Sequence, residues 1–325
     1  MLDEAVPATT VGVPRPAPPP HPWRTRLYRW DVKGSPYAYI APFFLCFAAF
    51  GLFPLIYTAW VSLHSVDLQT SDQLQWRGFG NYTRLLHDDL FWNALRNTFT
   101  IGVMSTVPQL LMALGLAHLL NYRLRGRTFL RIAMLAPYAT SIAAATLVFS
   151  LLFGRDYGMI NWLLGQVGIG HIDWEAGTWS SQIAVSTIVT WRWTGYNALI
   201  YLAAMQAVPH DLYEAAALDG ASRWQQFRHV TVPAIRPTVL FTVLVSTIGA
   251  TQLFGEPLLF GGSTGHSGGS AHQYQTLGLY LYDQGWYSFH LGRAAAVAWT
   301  MLLLLLAIGA VNLAFARYRR AKEGS

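Results

Sequence analysis

The sequence predicts an all-α integral membrane protein built on six spanning helices, and three observations carry that prediction. Hydrophobic residues make up 53% of the 325-residue chain and charged residues only 12%, about half the roughly 25% typical of soluble domains. The apolar residues are grouped in blocks close to the roughly 20 residues needed to cross a hydrocarbon core. Thirteen Trp, 16 Tyr and 17 Phe suit membrane interfaces, where an apolar ring and a polar tip need different solvents.

Residues 1–22 open with MLDEAVPATT and run into PRPAPPPHP. They cannot bury a core and predict a disordered cytoplasmic tail, with no cleavable signal because the first apolar run begins too late. Trp23 to Lys33 is basic with aromatics, a composition that lies against anionic headgroups. Spanning helices are predicted over 38–62, 97–120, 130–153, 182–205, 237–259 and 294–315. At 1.5 Å rise per residue each is near the length that crosses the membrane. Prolines 42, 54, 108 and 137 lie in or near them, where neighbouring helices can satisfy the freed backbone groups. Residues 1–37 thus form an N-terminal segment, 38–315 the membrane domain and 316–325 a cytoplasmic tail.

Basic residues set the orientation. Sixteen of the 22 lie before the first span, between the second and third, between the fourth and fifth, or after the sixth. The positive-inside rule therefore places both termini and the 206–236 loop in the cytoplasm of a multi-pass protein in a bacterial cell membrane. The net charge of +6 sits beside apolar spans rather than on one patch, so nucleic acid is not an expected partner but membrane lipid is. Cys46 is the only cysteine, which excludes an intrachain disulfide and a cysteine metal site. His266 and His272, in GGSTGHSGGSAHQ, read as parts of a flexible polar loop rather than a metal site. No nucleophile has a base partner, so no catalytic residue is expected.

A P-loop needs a lysine in the context Gly-x-x-x-x-Gly-Lys-Ser/Thr. The two lysines, Lys33 in DVKGS and Lys322 in RAKEGS, have other contexts, and ATP has no site in this chain.

The longest cytoplasmic loop reads VPHDLYEAAALDGASRWQQFRHVTVPAIRP. Pro209 suits a helix start, and Asp211 and Glu214 place negative charge where the helix dipole favours it. Leu212, Ala215, Leu218 and Ser222 fall near one side of that helix, Gly220 ends or bends it, and Trp224 to His229 predicts a second helix before Pro233. Physics alone gives a compact docking element standing out from the membrane with a small-residue face.

The spacing is more specific than that. Glu214-Ala215-Ala216, then three residues, Gly220, nine residues, and Val230-x-Val232-Pro233 resembles the EAA loop of binding-protein-dependent ABC importer permeases. Two valines stand for that family's Ile and Leu. Leu212-Tyr213, Asp219-Gly220-Ala221 and Trp224-x-x-Phe227 resemble its sugar-permease branch. The similarity extends through Asn81-Tyr82, the run from Phe91 to Thr98, and Gly261-Gly262, with its core over 91–315. The resemblance implies a six-helix type I permease in which Glu214, Ala215, Ala216, Asp219, Gly220 and Pro233 couple to a cytoplasmic ATPase dimer that binds ATP and Mg. It also implies a second homologous permease and an extracytoplasmic sugar-binding protein.

A charge at membrane depth usually faces a bundle interior or cavity. Arg192, flanked by Trp191 and Trp193, therefore joins Tyr196, Asn197, Gln252 and Glu256 as candidate lining for a substrate pathway. The alternative is that Arg192 and Glu256 form a structural ion pair and the aromatics only pack. The stretch Gln252 to Gly262 resembles permeases for cellobiose or other β-glucosides, and a non-sugar solute such as glycerol phosphate is the alternative substrate. An ATP-independent transporter would instead call for charged relays inside the spans.

Overall fold

A computed structural model describes residues 22–67, 74–122 and 125–323. The predicted tail lies, apart from Pro22, outside the described residues, as does Arg123. The chain divides into two units, Met1–Tyr57 and Thr58–Ser325.

In the first unit, helix α1 (Pro22–Phe47) includes Trp23 to Lys33 and leads into a π turn at Ala48–Leu52. Helix α2 (Phe53–Ser62) follows and carries the chain into the second unit. Pro54 comes two residues after the π turn. A proline removes a donor and its ring crowds the carbonyl four residues back, and a turn widened to π spacing accommodates both. Gly34–Ser62 forms a stretch of 29 residues that contains an 18-residue window of mean hydropathy 2.1 and takes in the first predicted span.

The second unit opens with a two-stranded antiparallel ribbon, β1 (His64–Ser65) and β2 (Gln75–Trp76), in which His64 faces Trp76. Helix α3 (Gly80–Leu86) precedes the 33-residue α4 (Asp89–Asn121). Asp88 caps α4 by accepting from the Leu90 N–H at 2.9 Å, the side-chain capping that a helix start needs. One face of α4, from Phe91 and Ala94 through Ile101, Ser105 and Ala113 to Leu120, is buried at the three-to-four spacing of a helix stripe. That face packs on α8 (Thr178–Gln206).

Helices α5 (Arg127–Ala139) and α6 (Ile142–Leu152) occupy the third predicted span, but they meet at 90°. The straight helix expected over 130–153 is therefore corrected to a broken one. Thr140 and Ser141 take extended ψ angles of 138° and 139°, and Ser141 Oγ accepts from the Ala144 N–H at 3.4 Å, capping α6. Helix α7 (Met159–Gln166) links α6 towards α8.

Beyond α8 come α9 (His210–Leu218), α10 (Arg223–Gln226), a π turn at Phe227–Thr231 and α11 (Val232–Ala234). This second π turn again ends two residues before a proline, Pro233. Helix α12 (Arg236–Thr251) leaves at 66°. The fifth span is shorter than the predicted 237–259, because Gln252 and Phe254 leave helical geometry and α13 (Gly255–Phe260) starts anew. A 3-10 turn (Gly262–Ser267), α14 (Leu277–Tyr282), a π turn (Asp283–Tyr287) and α15 (Leu291–Glu323) complete the chain.

Among the described residues Gly34–Ser62, Asp89–Asn121 and Leu291–Asn312 are long and apolar enough to cross a membrane, and counting each of the two bent pairs as one span gives five. Helix α8 is long enough at 29 residues but carries Ser181, Gln182, Ser186, Arg192, Thr194 and Asn197 buried along it. Its polar side chains are tolerated because neighbouring helices, not lipid, surround them. One buried cluster joins α4 and α8 to Phe227 and Ile235 at one end of this unit. A second gathers Ile101, Phe153, Trp174, Val185 and Tyr274 at the other.

Candidate functional site

The loop after α8 folds as two short helical arms. Pro209 sits at the N-cap of α9 rather than in its first turn. At the other end Gly220 takes φ +80°, a left-handed conformation that disfavours any residue with a Cβ. The Ala221 N–H donates to the Ala216 carbonyl at 2.9 Å and the Gly220 N–H to the Ala217 carbonyl at 3.0 Å. This is the Schellman pattern of bonds, which satisfies carbonyls that a helix end leaves open. Ser222 then starts α10 with a reciprocal capping box, Ser222 N–H to Gln225 Oε1 at 2.7 Å and Gln225 N–H to Ser222 Oγ at 3.4 Å. The Ser-x-x-Gln spacing that signals such a box was present in the sequence.

The second arm is the anchor. Phe227 and Thr231 are buried, and Phe227 packs on His118 of α4 with ring centroids 4.1 Å apart. Tyr213 of α9 bonds Thr231 through their hydroxyls at 3.0 Å, tying the first arm to the second. Arg223 lies 5.4 Å from the Tyr122 ring at the end of α4. Such a cation over a ring face is attractive, and here it holds the loop to the end of the bundle where α4 finishes and α5 begins.

The face expected to be small and apolar is the one left open. Leu212 is 49% exposed and Leu218 90% exposed, with Ala215 exposed between them. Glu214 is solvent-facing and pairs weakly with His210 at 3.8 Å. Ala216, Asp219, Gly220, Gln225 and Val230 line a depression of about 290 Å³ between the arms. Pro233 lies in α11 beyond the anchor.

The five pathway candidates separate. Arg192 Nη1 donates to Glu256 Oε1 at 2.7 Å, and both side chains are buried. These two residues thus join α8 to α13. Tyr196 stacks on Tyr138 of α5 at 4.7 Å and meets Trp193 edge-on. Asn197 is buried and donates to the Trp193 carbonyl on its own helix at 3.3 Å. Gln252 is exposed at the end of α12. Tyr138 was missed as a neighbour of Tyr196, since only the bend after Ala139 brings α5 to this position.

At the opposite end, the stretch expected to be a flexible polar loop is packed inside the molecule. Gln273 to Thr276 are buried. Asn97 Nδ2 donates to the His272 carbonyl at 2.9 Å, and Gln182 Nε2 donates to Asn97 Oδ1 and the Gln273 carbonyl, each at 2.9 Å. The Leu277 N–H donates to Thr98 Oγ1 at 2.7 Å, and Thr276 Oγ1 to the Leu253 carbonyl at 2.6 Å. Gly268 has φ +74°, and a Cβ there would run into the Gln275 backbone. His266 stacks on Tyr287 at 4.0 Å. Among the described residues no group of three or more His, Cys, Asp or Glu side chains is placed to hold a metal ion.

His290, just before α15, faces Asp67 at 3.4 Å. Burial pushes its pKa below the usual histidine value, with Arg293 and Arg84 adding to that and Asp67 opposing it.

Residues 109–321 match the family described as binding-protein-dependent transport system inner membrane component. The chain belongs to this family. The match spans α5 to α15 and takes in the whole 209–233 loop, so a permease subunit is what the two-armed element belongs to. As an inner membrane component the chain is not itself an enzyme. Among relatives of this permease, the lactose transport system permease protein LacF of Rhizobium radiobacter is 34% identical, over 91% of this chain and 98% of its own. The arabinooligosaccharides transport system permease protein AraP of Halalkalibacterium halodurans is 33% identical, over 89% and 90% respectively. A solved bacterial ABC transporter involved in the import of the acidic polysaccharide alginate has a chain with a TM-score of 0.76 at 21% identity. That alignment covers 90% of this permease and 99% of the solved chain, a likeness of fold.

Proposed function

We propose that this permease serves an ATP-driven importer of oligosaccharides and that the 209–233 loop couples it to a separate cytoplasmic ATPase dimer, which binds ATP and Mg. The observation that carries the coupling role is the exposed face of α9. Leu212, Ala215 and Leu218 point away from the bundle while Gly220 and Ser222 fix the shape that presents them. Apolar side chains held rigidly in the open gain most from a partner that covers them.

Carbohydrate as the substrate class is supported by relatives named for lactose and for arabinooligosaccharides. A β-linked glucoside such as cellobiose is the narrower proposal, on the stretch Gln252 to Gly262. Arg192, the cation that a phosphate-bearing solute would call upon, is committed to Glu256, and this ranks glycerol phosphate lower. Tyr196, Asn197 and Gln252 are assigned to the pathway, with Arg192 and Glu256 fixing its wall. A second homologous permease completes the pathway, and an extracytoplasmic binding protein delivers the sugar. The distribution of basic residues supports a cytoplasmic position for both termini.

The test of coupling is Gly220→Val in the assembled transporter. Open space surrounds Gly220, so the substitution distorts the arm and not the core. Substrate-stimulated ATP hydrolysis and uptake should fall together while the complex still assembles. Unchanged stimulation in a normally assembled complex would refute the coupling role. Uptake of a labelled sugar panel, in wild type and in Asn197→Ala and Gln252→Ala variants, decides the substrate and the pathway. Unchanged affinity and rate in both variants would remove the pathway assignment.

A further inference from the structure

Arg127 and Arg131 stand one turn apart on α5, and both reach Gln206, the last residue of α8. With its amide oxygen turned towards them, Gln206 accepts from Arg131 Nη2 at 2.9 Å and also from Arg127 Nη2. The Nε atoms of both arginines are buried without a hydrogen-bond partner. Their shared acceptor is neutral, so two like charges converge with nothing to compensate them.

No carboxylate is available nearby in sequence, since no Asp or Glu occurs between Asp89 and Asp156. The ion pairs among the described residues are Arg155–Asp173, Arg192–Glu256, His210–Glu214 and His290–Asp67, and none uses either arginine. Both arginines also lie in the first turns of α5, where the helix dipole disfavours positive charge. A pair of guanidinium forks with unused donors matches the geometry of a phosphate oxygen pair.

We propose that the phosphate of an anionic phospholipid headgroup occupies this site and bridges the start of α5 to the end of α8. The location favours a lipid as the source. The arginines sit at the end of the bundle where α4 stops, α5 starts and α8 gives way to the 209–233 loop, which is where membrane-spanning helices meet headgroups. Gln206 is exposed, so the site is open at that edge. Basic pockets between spanning helices are suited to anionic headgroups, which a membrane holds at high local concentration.

The test uses the purified full-length chain in detergent and native mass spectrometry, titrated with phosphatidylglycerol, phosphatidylcholine or inorganic phosphate. Wild type should retain one phosphatidylglycerol in preference to phosphatidylcholine. The double variant Arg127→Gln/Arg131→Gln should bind it about thirty-fold more weakly, at roughly five-fold per basic residue near an anionic headgroup. Gln206→Glu supplies the counter-charge internally, so it should also lose the lipid while its thermal midpoint holds or rises. If the double variant does not fold, Gln206→Glu alone decides. Equal retention of phosphatidylglycerol and phosphatidylcholine, or undiminished retention in Gln206→Glu, overturns the proposal. Displacement of phosphatidylglycerol by inorganic phosphate assigns the site to a soluble anion and also overturns the lipid.

Discussion

The two-armed loop after α8 and the packed stretch from Gly261 to Thr276 are both polar segments between helices, and they solve opposite problems. The packed stretch buries Gln273 to Thr276 and satisfies backbone groups over long sequence distances, with Asn97 and Gln182 donating to the His272 and Gln273 carbonyls and Thr98 accepting from the Leu277 N–H just beyond it. The two-armed loop satisfies its backbone locally, through the Gly220 turn and the Ser222 cap, and turns apolar side chains outwards. One segment is finished as a surface by its own chain. The other is finished in shape only, and leaves Leu212 and Leu218 exposed.

That contrast predicts different responses to substitution. The largest effect is expected for Gly268→Ala, which combines a positive φ with a collision against the Gln275 backbone. Strain and overpacking together should cost about 3 kcal/mol or more, read as loss of folded monomer by size-exclusion chromatography with fluorescence detection. Arg192→Met is expected to cost a comparable amount, about 3–5 kcal/mol, because it leaves Glu256 buried and unpaired. Arg192→Met/Glu256→Leu should recover most of that stability in a thermal melt. A double variant that stays as unstable as the single one would show that the pair is not the unit of stability.

Ser222→Ala removes a cap on the exposed arm and should cost about 1 kcal/mol locally. Amide exchange should rise within 222–226 while the global melting midpoint stays put. The smallest effect concerns pH. Because the folded pKa of His290 is lowered, the unfolded chain binds more protons as pH falls through the ordinary histidine value. Stability from this group is therefore complete above about pH 6.5 and declines below it. Melting midpoints at pH 5 and pH 7.5 should differ less in His290→Asn than in wild type.

The two segments also differ in how much of them could be read from residue order. The arm was legible where its determinants are local, at Pro209 and Gly220, whereas Ser222, expected on the side of the first helix, instead caps the second through Gln225. The exposed side of α9 followed from the same spacing. The stretch GGSTGHSGGSAHQ has the composition of a flexible linker, and its burial depends on Asn97 and Gln182, which lie far away in sequence. The bend in the third span was hidden for a related reason. Pro137 signals a kink, but the 90° turn arises three residues later from the extended pair Thr140 and Ser141. For Arg192 and Glu256 the sequence posed both alternatives, and seeing that they pair required knowing that α13 returns to α8.

Helix α8 has no proline and no break across its 29 residues, roughly 44 Å at 1.5 Å per residue. Near one end Gln182 grips the packed stretch, and at the other Met205 and Gln206 hand over to the 209–233 loop. Among the described residues seven of the other helices, α1, α2, α4, α5, α11, α12 and α13, carry a proline within or at their start. A rod with no joint absorbs little of a displacement imposed on it. A displacement imposed on the 209–233 loop is therefore expected at Gln182 as translation or rotation of the whole shaft rather than as bending within it.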